Sequence, residues 1–125
     1  MLMGRFVPLE QSNSPLAIKT GIDLVHMTRF EKHVTDQRFL HRILTDREME
    51  LFEELTTTRR RLEFLCGRYA CKEAYSKAMG TGIGVTDFHD FEVLKNDSGA
   101  PVSDKGAVSI SHDGAYAIGM VIIYG

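Results

Sequence analysis

The chain has 125 residues, 43% of them hydrophobic and 26% charged, with a formal net charge of −2. That length holds one domain with its own core and excludes two of ordinary size. The slight acidity argues against general nucleic-acid binding and confines anion recognition to local cationic patches. No apolar run approaches the roughly 18 residues of a membrane span, and no signal-peptide core opens the chain, so a cytoplasmic location is expected.

Residues 1–15, ending in EQSNSP, are rich in turn formers and carry no period. They predict a loosely ordered N-terminal extension ahead of a single domain over 16–125. LAIKTGIDLV predicts a short strand up to Gly21, with Asp23 at the junction to a first helix whose buried stripe is Met27, Phe30 and Val34. The opposite side of that helix carries His26, Arg29, Lys32 and His33, a basic face that either sits in solvent or steers an acidic partner. Thr45 opens a second helix: Glu48 completes a capping box, and Met49, Phe52 and Leu55 form its stripe.

A third helix is predicted from about Arg60 to Met79, with Leu62, Leu65, Cys66, Tyr69 and Ala70 at helical offsets and Gly80 as its stop. Cys66 and Cys71 fall on different sides of it, which argues against a mutual disulfide and predicts buried thiols. Beyond Gly84 the period changes to two: AVSIS and AYAIGMVII predict strands joined through HDG as a hairpin. One strand, three helices and then antiparallel strands make an α+β fold with the helices packed on the sheet.

The chemistry concentrates around the third helix. Its GTGIG run closes a helix instead of opening one, so the helix dipole repels anions there and side-chain cations such as Lys77 must hold any phosphate. Cys66, Ala70, Glu73 and Lys77 share one side, and three of them are small or charged, which predicts a side facing a cleft. Should Asp23 face the same cleft, its repulsion with Glu73 favours a divalent cation between them, and hard oxygen ligands suit Mg²⁺; a cap and a surface charge are the plainer account. SISHDG places Ser, His and Asp consecutively on a strand, where neighbours point to opposite faces, so no relay triad forms. Arg59, Arg60 and Arg61 open a helix where its dipole disfavours cations, which suggests service to a ligand.

Four stretches carry a family likeness: GIDLV at Gly21–Val25, FLHRILTDRE at Phe39–Glu48, EFLCGRYACKEAYSKAMGTGIG at Glu63–Gly84 and VSISHDGAYA at Val108–Ala117. In order and spacing they resemble the holo-[acyl-carrier-protein] synthase family of 4'-phosphopantetheinyl transferases, from Ile18 to the C-terminus. The resemblance implies that fold and a Mg²⁺-dependent transfer of the phosphopantetheine arm of coenzyme A to a serine of apo acyl carrier protein. That reaction releases 3',5'-ADP and supports fatty acid biosynthesis.

It further implies Asp23 and Glu73 as metal ligands and, with Lys77, as catalytic residues. Arg60, Arg68, Ser76, Lys77, Gly80, Thr81, Gly82 and His112 would bind the coenzyme, and Arg29, Lys32 and His33 would dock the carrier. A homotrimer with sites at subunit interfaces is expected, with His112 reaching a neighbour's coenzyme. The chain departs from the family pattern in a shorter Pro101–His112 segment and in lacking a second docking arginine, for which Arg38 or Lys32 substitutes. The alternative is a catalytically silent module that binds coenzyme A or carrier protein.

Overall fold

A computed structural model describes residues 17–80 and 87–125; the N-terminal segment and the glycine run after Gly80, with Thr81 and Gly82, lie outside them. The first strand, β1, spans Ile18–His26 and outruns its expected end at Gly21. Alternation explains the extension: Ile18, Thr20, Ile22 and Leu24 face outward while Gly21 and Val25 are buried, a period of two that continues past Asp23. Asp23 therefore sits inside a strand and not at a junction.

The expected first helix is instead a 3-10 segment, Met27–His33, followed by a separate helix α1, Gln37–Ile43, whose N-cap Asp36 accepts the Phe39 N–H. A 3-10 turn repeats every 3.0 residues, so i and i+3 stack on one edge. Met27, Phe30 and His33 form one edge and Arg29 with Lys32 another, which removes His33 from the basic face. Its ring stacks on Phe39 with centroids 3.9 Å apart.

Helix α2 spans Asp46–Glu54 with the expected Thr45/Glu48 capping box. Helix α3 spans Thr58–Met79, capped by Thr57 at one end and by Gly80 at φ 73° at the other. Two short strands follow, β2 (Leu94–Lys95) and β3 (Pro101–Val102), paired with each other, and then the hairpin β4 (Ala107–Asp113) and β5 (Tyr116–Tyr124). The main sheet has the order β1-β5-β4, all antiparallel, with Gly114 at φ 59° in the hairpin turn.

Helix α3 is buried on most of its circumference, with apolar clusters on both sides of it. Glycines on the sheet bring it close: a Cβ on Gly21 would stand 1.8 Å from the Ala74 carbonyl oxygen, and one on Gly119 2.7 Å from the Cys71 nitrogen. Cys66 and Ala70 are wholly buried. Their smallness serves this close packing, so the expected cleft along Cys66 and Ala70 does not exist there, and only the Glu73–Lys77 end of that side opens outward.

Candidate functional site

Strand residues two apart share a face, so Asp23 follows Gly21 toward α3, and Lys77 stands one turn beyond the Ala74 that Gly21 touches. The two side chains meet: Lys77 Nζ lies 3.0 Å from Asp23 Oδ1 and donates also to the Ile22 carbonyl at 3.0 Å. Lys77 remains half exposed while Asp23 is mostly covered, at 55% and 16% of their side chains. Tyr69 joins this group one turn before Glu73. Burial pushes its phenol up to about 12, with hydrogen bonding to Glu73 and the charges of Glu73 and Asp23 adding, and Arg29 opposing. Both carboxylates thus act on one phenol, across half the chain.

On another side of α3 lies a cavity of about 540 Å³ whose lining includes Arg60, Arg68, Lys95 and His112, with Leu51, Leu55, Phe64, Pro101 and Ile110 as apolar wall. Three expected coenzyme residues therefore converge here, and Lys95 joins them. Arg68 Nε and Nη2 donate to the Val93 and Leu94 carbonyls, both at 3.1 Å, and its guanidinium lies 3.9 Å above the Phe64 ring. Burial pulls the Arg68 pKa down, with Glu48 opposing. His112 Nε2–H donates to the Glu63 carbonyl at 3.2 Å.

The arginine run divides by role. Arg59 bonds Glu63 and the Gly114 carbonyl. Arg61 bonds the Leu55 and Glu53 carbonyls at the end of α2. Arg60 alone of the three lines the cavity.

A third region, about 270 Å³, gathers Arg29, Phe30, His33, Phe39, Arg42, Ile43, Tyr69 and Phe88. Arg29 and His33 meet in it and Lys32 does not. Arg42 lines it with Arg29, whereas Arg38 and Lys32, which sequence reading named, do not; the place of Arg42 on α1 was hidden because that helix was not expected. Tyr69 packs edge-on to Phe30 and face-on to Phe88, with ring centroids 4.8 and 5.5 Å apart. It forms the wall between this cavity and Glu73.

Among the described residues the buried Ser76 hydroxyl has no hydrogen-bond partner, and Gly80 N–H closes the helix on the Lys77 carbonyl. Sequence reading also missed the buried ion pair Glu48–Lys72, at 2.9 Å. Among the described residues no cluster of three or more His, Cys, Asp or Glu is placed to hold a metal ion, and no helix is long and apolar enough to cross a membrane. What Asp23 and Glu73 offer a cation is a pair of hard oxygen donors beside a lysine, a set suited to an ion that keeps further positions for phosphate and water.

A basic cavity with apolar walls and, on another side of the same helix, two carboxylates with their own lysine are features that suit a phosphorylated, nucleotide-like ligand. The chain belongs to the 4'-phosphopantetheinyl transferase superfamily, whose profile it matches over residues 19–121. It is 47% identical over 110 residues to the holo-[acyl-carrier-protein] synthase of Streptococcus agalactiae serotype III (strain NEM316), covering 82% of this chain and 92% of that one. To the synthase of Geobacillus sp. (strain WCH70) it is 43% identical over 116 residues, 86% and 97% of the two chains.

Among solved structures it resembles a holo-(acyl-carrier-protein) synthase from Bacillus anthracis str. Ames in complex with CoA (3',5'-ADP), at a TM-score of 0.75 and 40% identity over 86% of this chain and 96% of that one. The Helicobacter pylori synthase in complex with coenzyme A gives a TM-score of 0.72 and 32% identity over 83% and 98%.

Proposed function

We propose that this chain transfers the 4'-phosphopantetheine arm of coenzyme A to a serine of apo acyl carrier protein, releasing 3',5'-ADP. The observation that carries the reading is its likeness, along more than four-fifths of its length, to named holo-[acyl-carrier-protein] synthases, one of them holding coenzyme A. Arg60, Arg68, Lys95 and His112 would grip the nucleotide's phosphates while Leu55, Phe64 and Ile110 cover its apolar parts.

The acceptor serine must lose its proton as its oxygen forms a bond to the β-phosphorus and the bond to the ADP oxygen breaks. Asp23 and Glu73 are the bases the site offers, and Lys77, held beside Asp23, would offset the charge growing on the leaving oxygen. Asp23 and Glu73 would also hold Mg²⁺. When bound, that ion supplies further neutralisation of the diphosphate. Arg29 and Arg42 flank an aromatic hollow suited to an acidic carrier helix that presents one apolar side chain.

We place the chain in the cytoplasm, in fatty acid biosynthesis, as a homotrimer with sites between subunits. Two features support the assembly. The outer face of the main sheet exposes Ile18, Ile22, Leu24, Met120 and Tyr124, with Ile22 opposite Met120 and Ile18 opposite Tyr124. Arg68 and Glu73 also lie about 140° apart around α3, so one protomer turns its basic cavity and its acid pair in different directions. A neighbouring subunit would bring them to one ligand. Leu24→Asp, exposed in the monomer, should sediment as a monomer; a species of wild-type size would refute this assembly.

The test of the activity is incubation with apo carrier, coenzyme A and Mg²⁺. The carrier should gain one phosphopantetheine arm in a chelator-sensitive reaction. Binding of coenzyme A or carrier without transfer would identify a silent module.

A further inference from the structure

The Glu48–Lys72 pair is almost inaccessible, at 0% and 2% exposure, and touches none of the three candidate regions directly. Its bonds reach the segment that serves two of them, the basic cavity and the aromatic hollow. Lys72 Nζ donates to the Phe88 carbonyl at 2.8 Å, to the Phe91 carbonyl at 2.9 Å and to Glu48 Oε1 at 2.9 Å. Glu48 Oε1 accepts the Thr45 N–H at 2.8 Å, and Oε2 accepts the Val93 N–H at 2.7 Å. One ion pair therefore ties the start of α2 and the middle of α3 to the segment 88–94.

That segment forms part of both cavities. Phe88 lines the hollow with Arg29 and Arg42, stacked on Tyr69. The Val93 and Leu94 carbonyls fix Arg68 in the basic cavity. Stability alone is a poor account of the pair, because apolar side chains of similar volume serve a core as well as a buried ion pair or better. This pair also holds two carbonyls and one N–H of an irregular segment in place, which apolar replacements cannot do.

We infer that Glu48 and Lys72 are positioning residues that set, through residues 88–94, the geometry of both the coenzyme and the carrier seat. This rests on the reading of the two cavities given above. The bonds also divide the work: Lys72 holds the Phe88 end, on the carrier side, and Glu48 holds Val93, beside Arg68 on the coenzyme side.

The test uses the full chain with Glu48→Leu/Lys72→Met together, and Lys72→Met alone as a second variant. Amide exchange at Val93 and the KM values for coenzyme A and carrier are read well below the thermal midpoint. The double variant should stay folded, exchange Val93 about tenfold faster and raise both KM values about tenfold, with kcat changed much less. Lys72→Met should raise the carrier KM several-fold more than the coenzyme KM, a split that general destabilisation does not produce. Arg47→Ala, which breaks an exposed pair with Glu92, should change neither. Folded variants with wild-type Val93 exchange, or with both KM values unchanged, overturn the inference. If the wild-type chain itself transfers nothing, the functional reading falls and Val93 exchange still decides whether the pair positions the segment.

Discussion

Lys77 Nζ sits 3.0 Å from Asp23 Oδ1, joining the end of the longest helix to the first strand across 54 positions of sequence. The pairing follows from backbone contact: Gly21 lets β1 press against Ala74, which carries Asp23 to the helix turn bearing Lys77. With Tyr69 and Glu73 alongside, the arrangement keeps two carboxylates and a cation where the C-terminal part of a mostly buried helix opens outward.

Glu73→Gln should remove transfer by about a hundredfold or more while the protein stays folded, since it deletes a charge that no ion pair among the described residues uses and keeps a side chain able to hydrogen-bond Tyr69. Asp23→Asn should do the same and cost under about 1 kcal/mol of stability, because its partner Lys77 is half exposed and solvent screens the pair. Steady-state rates with thermal melting check both, and near-normal rates in either variant remove that residue from the site.

Arg60 and Arg61 are neighbours with opposite expected phenotypes. Arg60→Ala should raise the KM for coenzyme A about tenfold with little change in melting temperature, the loss of one charge-assisted contact. Arg61→Ala should do the reverse, because its guanidinium bonds the Leu55 and Glu53 carbonyls and lies 5.1 Å from the Phe52 ring centroid. Identical behaviour of the two would mean that the cavity does not bind the nucleotide.

Arg29→Glu should raise the apparent KM for carrier far more than that for coenzyme A, as reversal of a docking charge does. Arg42→Glu should follow it, since both line the same hollow. Lys32→Glu should have the smaller effect. Equal effects on both substrates would defeat the docking assignment.

Stability should fall above about pH 9. Burial pushes the Cys66 and Cys71 thiols from 9.0 up to about 12, and Tyr69 from 10.0 up to about 12. Groups raised in the folded state contribute fully below their unfolded values and lose that contribution as pH climbs, because the unfolded chain releases protons first. By pH 10 each thiol accounts for about 1.4 kcal/mol. Lys72 and Arg68, both lowered by burial, oppose the trend, two groups against three. Urea midpoints between pH 8 and 10 check the slope, and a flat or rising midpoint contradicts it. Neither thiol should react with a soluble alkylating agent until the chain unfolds.

Much of the framework was legible because local rules agreed with the tertiary outcome: the Thr45/Glu48 box, the Gly80 stop and the Asp113-Gly114 turn each appear as read. The first helix was misread because Met27, Phe30 and Val34 fit offsets of three and four, and a 3-10 turn shares the first of these. Helix α1, seven residues long, offers too few apolar positions for a period to emerge. Asp23, Glu73 and Lys77 were singled out through their charge and the motif around them, and the fold brings Asp23 to Lys77. Glu48 and Lys72 were passed over because a capping glutamate and a helix lysine look like surface residues until tertiary packing closes over them. Arg42, Phe39 and Phe88 meet only through the fold.

The central claim is that this chain moves a phosphopantetheine arm onto a protein serine, and intact-mass spectrometry of the carrier tests it most directly. With coenzyme A and Mg²⁺ the wild-type chain should shift apo carrier by the mass of a single arm, and the Glu73→Gln chain should leave it unshifted. A carrier of unaltered mass after incubation with the folded wild-type chain would contradict the account.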